Sequence, residues 1–406
     1  MPTKNTQKNT EHQDLLKKGW RRVKLGDVCE ITSSKRIFLS EYVPEGVPFF
    51  RSKEIINLAN NSEIVTELFI TRDKYENIKN KFGIPQKGDL LITSVGTLGV
   101  VWLVDDREFY FKDGNLIWFK NFSKEVSSVY VHLLLRNIET QESLKKIAIG
   151  SSQKAFTIDS IKNFQINLPP LPEQKKIAEV LSAYDDLIEV NNKKIKTLET
   201  LAQTLYKEYF IKPTKNGLPS GWEEKLLGDI CDLKKDKFQD NHKNLPLVDM
   251  SRINSKNLSI TNIGSSEELS TSRIIFKEDD ILFGSIRCYL HKVALAPFEG
   301  ITNVSIFVLR SKEEFFKSFL YCHISNENTL KWADQNSSGT KMPVIKWDVF
   351  KNKKISLPKN EVLIKFNDLV YPFFEEIKLL SIENQNLQKT RDILIPQLVG
   401  GRVEVK

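Results

Sequence analysis

Few residues of this chain are spaced for bond-making chemistry. The carboxylate doublets Asp105-Asp106, Asp185-Asp186 and Asp279-Asp280 fall at turns or on the polar face of a helix, where a solvated carboxylate is the ordinary outcome. A general acid–base pair needs environments that separate two pKa values, and nothing around these doublets suggests one. The five histidines, His12, His132, His242, His291 and His323, show no metal-ligand spacing. The four cysteines, Cys29, Cys231, Cys288 and Cys322, form neither a CxxC pair nor a Cys/His cluster, and read as buried thiols in a reducing compartment. No Gly-x-x-x-x-Gly-Lys-Ser/Thr loop and no GxGxxG after a strand is present. Leu168-Pro-Pro-Leu171 lacks the Asn/Asp and aromatic flanks of an amino-methyltransferase motif. A nucleotide-, metal- or methyl-donor-using enzyme is therefore disfavoured.

What remains is recognition. Gly150-Ser-Ser-Gln153-Lys154 and Ser338-Gly-Thr340-Lys341 are small-residue turns followed by lysine. Such turns offer backbone N–H groups to phosphate, and the lysine adds a charge. Arginine can grip guanine through two hydrogen bonds, and Gln153 could do the same for adenine. The candidate DNA contacts are Arg51, Lys53, Thr97, Gln153, Lys154, Arg252, Arg287, Lys292, Thr340 and Lys341. Any one of them also reads as a plain surface residue. Lys154 and Lys341 carry more weight because they stand in the same context twice.

The elements that would position these residues are duplicated. Trp20-Arg-Arg-Val-Lys-Leu-Gly-Asp-Val-Cys29 returns as Trp222-Glu-Glu-Lys-Leu-Leu-Gly-Asp-Ile-Cys231. The block from Pro48 through Arg51 and Lys53 to Ile55 answers the one from Pro246 through Ser251 and Arg252 to Ile253. The loop holding Thr97 answers that of Arg287, and each copy closes on Leu-Pro, at Leu168-Pro169 and Leu357-Pro358. Repetition of this kind sets the architecture before any side-chain chemistry. Within each copy, short β-branched and aromatic runs alternate with turn residues. Residues 90–93, 100–104 and 116–119 read as strands, and 128–137 and 315–323 as helices. The expected fold class is α+β.

After each Leu-Pro the period changes to a heptad. Ile177, Leu181, Tyr184, Ile188, Asn191, Ile195, Leu198, Ala202, Leu205 and Tyr209 alternate at spacings of four and three, as a coiled-coil seam does. The second copy repeats it less cleanly through Phe366, Val370, Phe373, Ile377, Leu380, Asn384, Leu387 and Leu394, with Arg391 interrupting. Pro372 predicts a kink or a late start there. If a two-fold axis relates the copies, the two helices run antiparallel, and Asn191 meets Asn384; both facing solvent is the alternative. The expected organisation is a tail without regular structure over 1–18, a recognition domain over 19–171, a central helix over 172–211, a second domain over 212–357 and a C-terminal helix over 358–406.

Composition agrees. The chain has 406 residues, 40% hydrophobic and 28% charged, enough for two or three domains. No segment has the apolar length of a membrane span, and the polar start lacks a signal-peptide core. The net charge is +8, yet 172–211 carries −1 and 358–406 carries zero, so the globular parts hold the excess. Basic globular modules with neutral helices fit a protein that holds a polyphosphate with the former and packs the latter. A generally basic surface is the other reading.

These features together resemble the specificity subunit of type I restriction–modification systems. The resemblance lies in Leu168-Pro-Pro-Leu-Pro-Glu-Gln-Lys-Lys-Ile-Ala-Glu-Val-Leu-Ser182, in Asp185-Asp186, Asn191-Asn192 and Leu205-Tyr-Lys-Glu-Tyr-Phe210, in the closing Leu394-Ile-Pro-Gln-Leu-Val-Gly-Gly-Arg-Val-Glu-Val405, and in Leu25-Gly-Asp27 and Leu227-Gly-Asp229. It covers the chain from about Trp20 onward. It implies two tandem target recognition domains, each followed by a long helix, the helices packing as an antiparallel coiled coil with pseudo-two-fold symmetry. It implies a non-catalytic, cytoplasmic subunit that reads a split, asymmetric sequence in double-stranded DNA. Two methyltransferase subunits carrying S-adenosylmethionine would dock on the helices, and motor-nuclease subunits using ATP and Mg would join them; this chain itself would bind no cofactor and no membrane. A DNA-modifying enzyme with its own reading domains, and a structural protein that binds others through its helices, are the competing classes.

Overall fold

The computed structural model describes residues 19–60, 64–150, 154–239, 242, 244–260, 262–268 and 272–405. The expected N-terminal tail and Gln153 lie outside them. The chain divides into two compact units, one comprising the chain to Asp186 with 389–406, the other 187–388.

The first unit is built on a four-stranded antiparallel sheet in the order Glu30–Thr32, Leu116–Lys120, Leu90–Thr93, Val101–Leu103. Leu90–Thr93 is buried on both faces. Its alternation sends Leu90 and Ile92 into a core with Tyr130, Leu133 and Ile161, and Leu91 into an aromatic core with Phe50, Trp102, Phe109 and Trp118. That is the period of two expected of a strand between two layers. The second unit repeats the sheet in the same order: Cys231–Lys234, Ile306–Ser311, Ile281–Gly284, Val293–Leu295. Ile281 and Phe283 face one core, and Leu282, Ala294 and Val308 another.

Each copy is closed by a two-stranded antiparallel ribbon of its first and last strands. Arg21–Lys24 pairs with Gln165–Leu168, and Glu223–Leu226 with Lys354–Leu357. The ribbons bring entry and exit of each domain together, so that each long helix leaves from beside the domain's start.

The central helix spans Leu171–Tyr206 and passes into a π-turn over Lys207–Ile211; the C-terminal helix spans Asn360–Val399. The latter runs unbroken through Pro372, so the late start expected there is not found. In the first unit Ile177 and Leu181 share a core with Ile395, Leu398 and Val399. In the second, Ile195, Ala202, Tyr206 and Phe210 share one with Phe366, Val370, Phe374, Ile377 and Leu380. Rising numbers on one helix meet falling numbers on the other, which makes the pair antiparallel within the second unit: Asn191 meets Asn384, Lys194 pairs with Glu376, and the Tyr209 and Phe366 ring centroids are 5.4 Å apart.

The buried stripe follows the expected seam through Ile177, Leu181, Ile188, Asn191 and Ile195, then departs from it. Tyr206 and Phe210 are buried, while Leu205 and Tyr209 are only half-buried; Phe374 replaces Phe373, which is half-buried. Tyr184, Leu198 and Leu387 are half-buried as well. An α-helix drifts by about 20° per heptad against a 3.5-residue repeat. Without sustained supercoiling the contact face slides by one residue, and the adjoining domain covers the new face.

Two polar layers interrupt the seam. Asn191 donates from Nδ2 to Oδ1 of Asn384 at 3.1 Å and to Glu383 at 3.1 Å, and Asn384 donates to Asn192 at 3.0 Å. In the first unit Arg391, which breaks the heptad in sequence, reaches Asp185, which also takes Arg136 at 3.0 Å. Burial alone would raise the Asp185 carboxyl, but Arg136 and Arg391 outweigh it and hold it below its ordinary value. Beside them, burial first and the Arg136 charge second push the His132 imidazole down to about 3.

Asn191→Leu strands part of Asn384's hydrogen-bonding capacity in an apolar layer and should cost about 1–3 kcal/mol in urea unfolding, whereas the double replacement of Asn191 and Asn384 by leucine should recover most of that loss. Asp185→Asn should destabilise the chain by a similar 1–3 kcal/mol at neutral pH. Because the folded pKa of Asp185 lies below its unfolded value of about 3.9, its contribution is present above that pH and lost as pH falls through the folded value. The gap between wild type and Asp185→Asn should therefore close on acidification below about pH 4, read by unfolding curves across pH.

Candidate nucleic-acid interface

In each unit one end of the four-stranded sheet gathers three loops. In the first, the connection after Leu90–Thr93 is held by Ser94, whose N–H donates to Asn115 O at 2.9 Å and whose hydroxyl donates to Gly114 O at 3.1 Å. Ser94 O accepts from Phe156 N at 2.9 Å, and Ala155 bridges to both Val95 and Ile149. Loops 94–99 and 112–115 and the residues 149–150 and 154–155 thus form one cluster. The second unit builds the same cluster from 285–291, 303–305 and 338–344. Ser285 donates to Ser305 O from N and Oγ at 3.0 and 2.9 Å, Ile345 N donates to Ser285 O at 3.0 Å, and Val344 bridges to both Ile286 and Ser338.

These loop ends expose side chains that nothing in the fold covers. Tyr289, Val304 and Met342 are 51%, 63% and 56% exposed in the second unit, and Ile149 is 62% exposed in the first. Thr97, Lys154, Thr340 and Lys341 are exposed beside them. The loop ends thus offer open apolar side chains among basic and small polar ones.

The ladder also corrects the register between copies. Since Ala155 and Val344 occupy one position, Lys154 is answered by Pro343, while Lys341 stands three residues before its bridge and Lys154 only one. The two lysines therefore share a loop but not a position; in the sequence they align only because each follows a turn of small residues.

Other candidates are occupied. Arg51 ends the strand Val47–Phe50 and turns onto Glu54 at 2.8 Å and Glu67 at 3.1 Å, and those carboxylates, Glu54 foremost, raise its pKa. Arg252 repeats that clasp with Asp249 at 2.6 Å and with Glu268, which lies as far along the chain from it as Glu67 does from Arg51. Lys53 is exposed and pairs with Glu67 at 3.6 Å. Lys292 is half-buried and donates to the carbonyls of Met250 and of Ile253, the latter at 2.9 Å; burial lowers its pKa. Arg51, Arg252 and Lys292 therefore hold loops in place. Their spacing resembled a cationic surface because sequence does not show where their acceptors fold.

The acidic doublets expected to be solvated are partly sequestered. Asp280 is buried and takes Arg310 through two hydrogen bonds of 2.7 Å. Asp279 takes Lys317 at 2.8 Å, Lys378 at 2.6 Å and the Tyr371 hydroxyl at 2.8 Å. Burial would raise the Asp279 carboxyl, and Lys317, Lys378 and Tyr371 together lower it. Lys378, with a side chain only 4% exposed, also reaches Glu278 and Glu375 and ties the C-terminal helix to its domain. Asp105 and Asp106 remain surface partners of Arg107 and Lys87. Among the described residues no group of His, Cys, Asp and Glu could hold a metal, and no helix is long and apolar enough to cross a membrane. All four cysteines are free and buried, and burial pushes the Cys29 and Cys231 thiols up to about 12.

A feature the sequence did not signal is a set of left-handed backbone positions shared by the copies. Gly88, Gly96 and Gly99 have φ of 91°, 76° and 83°; their equivalents in the second sheet are Asp279, Arg287 and His291, at 68°, 53° and 51°. The equivalence follows from matching hydrogen bonds: Gly88 N to Val104 O and Asp279 N to Ala296 O, and the turns flanking Ser94 and Ser285. The sequence repeat already sets Gly88 against Asp279 and Gly96 against Arg287; the ladder adds the match of Gly99 to His291, and the backbone adds the left-handed conformation at all three.

Residues 17–200 and 219–378 match the family described as type I restriction modification DNA specificity domain. The MjaIX specificity subunit of Methanocaldococcus jannaschii, a type I restriction enzyme subunit, is 29% identical over 96% of this chain and 95% of its own. The HindI specificity subunit of Haemophilus influenzae is 22% identical over 95% of this chain and 99% of its own. The crystal structure of the type I restriction–modification S subunit from M. genitalium shares the fold, with a TM-score of 0.57 at 17% identity over 93% of this chain and 96% of that one. With two such domains in tandem, each followed by its long helix, and recognition rather than catalysis as their office, the chain belongs to the family of type I restriction modification DNA specificity domains.

Proposed function

We propose that this chain is the sequence-reading subunit of a type I restriction–modification complex, each domain reading one half of a bipartite, asymmetric DNA target. The observation that carries this reading is the repeated loop cluster at the sheet end. Its framework is the same in both units, down to Ser94 and Ser285, while its exposed residues differ. A shared frame with divergent tips suits two half-sites of unlike sequence.

The helices suit a second task, docking two methyltransferase subunits. The central helix leaves Leu187, Val190 and Leu201 open at 50%, 59% and 43%, and the C-terminal helix leaves Leu379 open at 63%. These lie off the buried seam, on faces a partner would cover. S-adenosylmethionine, and ATP with Mg, belong to the methyltransferase and motor-nuclease subunits, and the assembly works on chromosomal DNA in the cytoplasm. In this reading the helix pair sets the distance between half-sites.

Genome-wide adenine-methylation mapping tests this in a host lacking its own modification, with the chain co-expressed with its neighbouring methyltransferase. A split, asymmetric motif that disappears without this chain is expected; a motif that persists without it rejects the reading. Inserting one heptad into both helices, which preserves the Asn191–Asn384 pairing, adds about 10 Å and should widen the half-site spacing by about three base pairs while leaving each half-site's bases unchanged. Charge reversal at Lys154 or at Lys341 should each weaken recognition of a different half-site, and DNA binding by the complex should fall steeply with added salt.

A further inference from the structure

Asp279, Arg287 and His291 are non-glycine residues in a left-handed conformation, which L side chains seldom adopt unless something holds them there. The first copy meets the same backbone requirement with glycine at every one of these positions. For two of the three, the second copy shows what the side chain does. Asp279 takes Lys317, Lys378 and Tyr371. His291 lines a cavity of about 460 Å³ within its unit, beside Lys256 and Asn257.

Arg287 has no such employment. Its backbone is fixed by donation from N to Pro343 O at 2.8 Å and by acceptance from Leu290 N at 2.8 Å. Its guanidinium has no carboxylate or carbonyl partner among the described residues, and Nε is enclosed without a hydrogen bond. The other described arginines of that unit are engaged: Arg252 and Arg310 with carboxylates, Arg273 over the Phe238 ring. Arg287 thus stands in a strained, immobilised loop, flanked by the open side chains of Tyr289 and Met342, with donors left over. A planar fork of donors held on a rigid loop is the arrangement that recognises guanine O6 and N7, whereas phosphate contact needs neither the strain nor the fork.

We propose that Arg287 reads a guanine in the half-site of the second domain through the major groove, and that the first domain, with Gly96 in the equivalent position, reads its half-site without such a contact. This rests on the DNA-reading function proposed above and names one of its base contacts.

The test compares methylation motifs of the full complex carrying wild-type chain, Arg287→Gly or Arg287→Lys. Glycine suits the left-handed backbone, so Arg287→Gly should unfold at the same temperature as wild type or higher. Both variants should lose discrimination at a single G·C position of one half-site by about 5- to 150-fold, with the other half-site untouched as an internal control. Lysine keeps the charge but not the fork, so it separates base reading from phosphate contact. An unchanged motif in either variant, or a uniform loss of methylation without relaxation at one position, overturns the assignment to guanine while leaving the DNA-reading function standing. A wild-type motif that does not depend on this chain at all would instead reject that function.

Discussion

The hydrogen bond between Asn191 and Asn384 is the constraint around which the helices are ordered. A layer of leucine or isoleucine accepts several offsets at little cost. Two buried amides accept one, because any slip leaves donors and acceptors in an apolar layer without partners. Once that layer is set, Lys194 falls opposite Glu376 and Tyr209 opposite Phe366. Arg391 and Asp185 set a second polar layer in the other unit, with Arg136 joining the domain to it. Register therefore rests on charged and amide pairs, and the apolar seam supplies adhesion.

The domains depend on the same economy of means. Closing ribbons and the common order of the four-stranded sheets are built from buried apolar residues, and they recur in both units. The loops at the sheet end are tied to that frame by main-chain hydrogen bonds and by Ser94 or Ser285, which do not constrain the neighbouring side chains. A loop held by its backbone can change every exposed residue without loss of position. This separates stability from specificity, and lets Gly96 in one copy become Arg287 in the other.

Most charged residues near the loops serve the frame. Arg51, Arg252 and Lys292 are consumed by carboxylates and carbonyls, and Lys378 is almost wholly buried among acidic groups. A buried ion pair contributes specificity of arrangement more than net stability, since desolvation offsets much of the attraction. Lys154, Arg287 and Lys341 have no ion-pair partner among the described residues, and each belongs to the loop cluster of its unit.

The repeat, the α+β class, the strands at 90–93 and 116–119, the two long helices and the seam from Ile177 to Ile195 were legible in the sequence, because each is written in local periodicity or in a self-match. The exchange of Phe373 for Phe374 and of Leu205 for Tyr206 was not, because helical drift and the adjoining domain decide which of two neighbouring residues is buried. The same holds for the candidate contacts. Which arginine is free depends on where Glu54, Glu67, Asp249 and Glu268 come to lie, and which lysines correspond depends on bridges at Ala155 and Val344. Sequence alone determined the pattern of burial along each element and the duplication that orders them. Tertiary structure alone decided pairing, because a charge's partner, and so its availability to DNA, is set by groups distant in the chain that only folding brings within hydrogen-bonding reach.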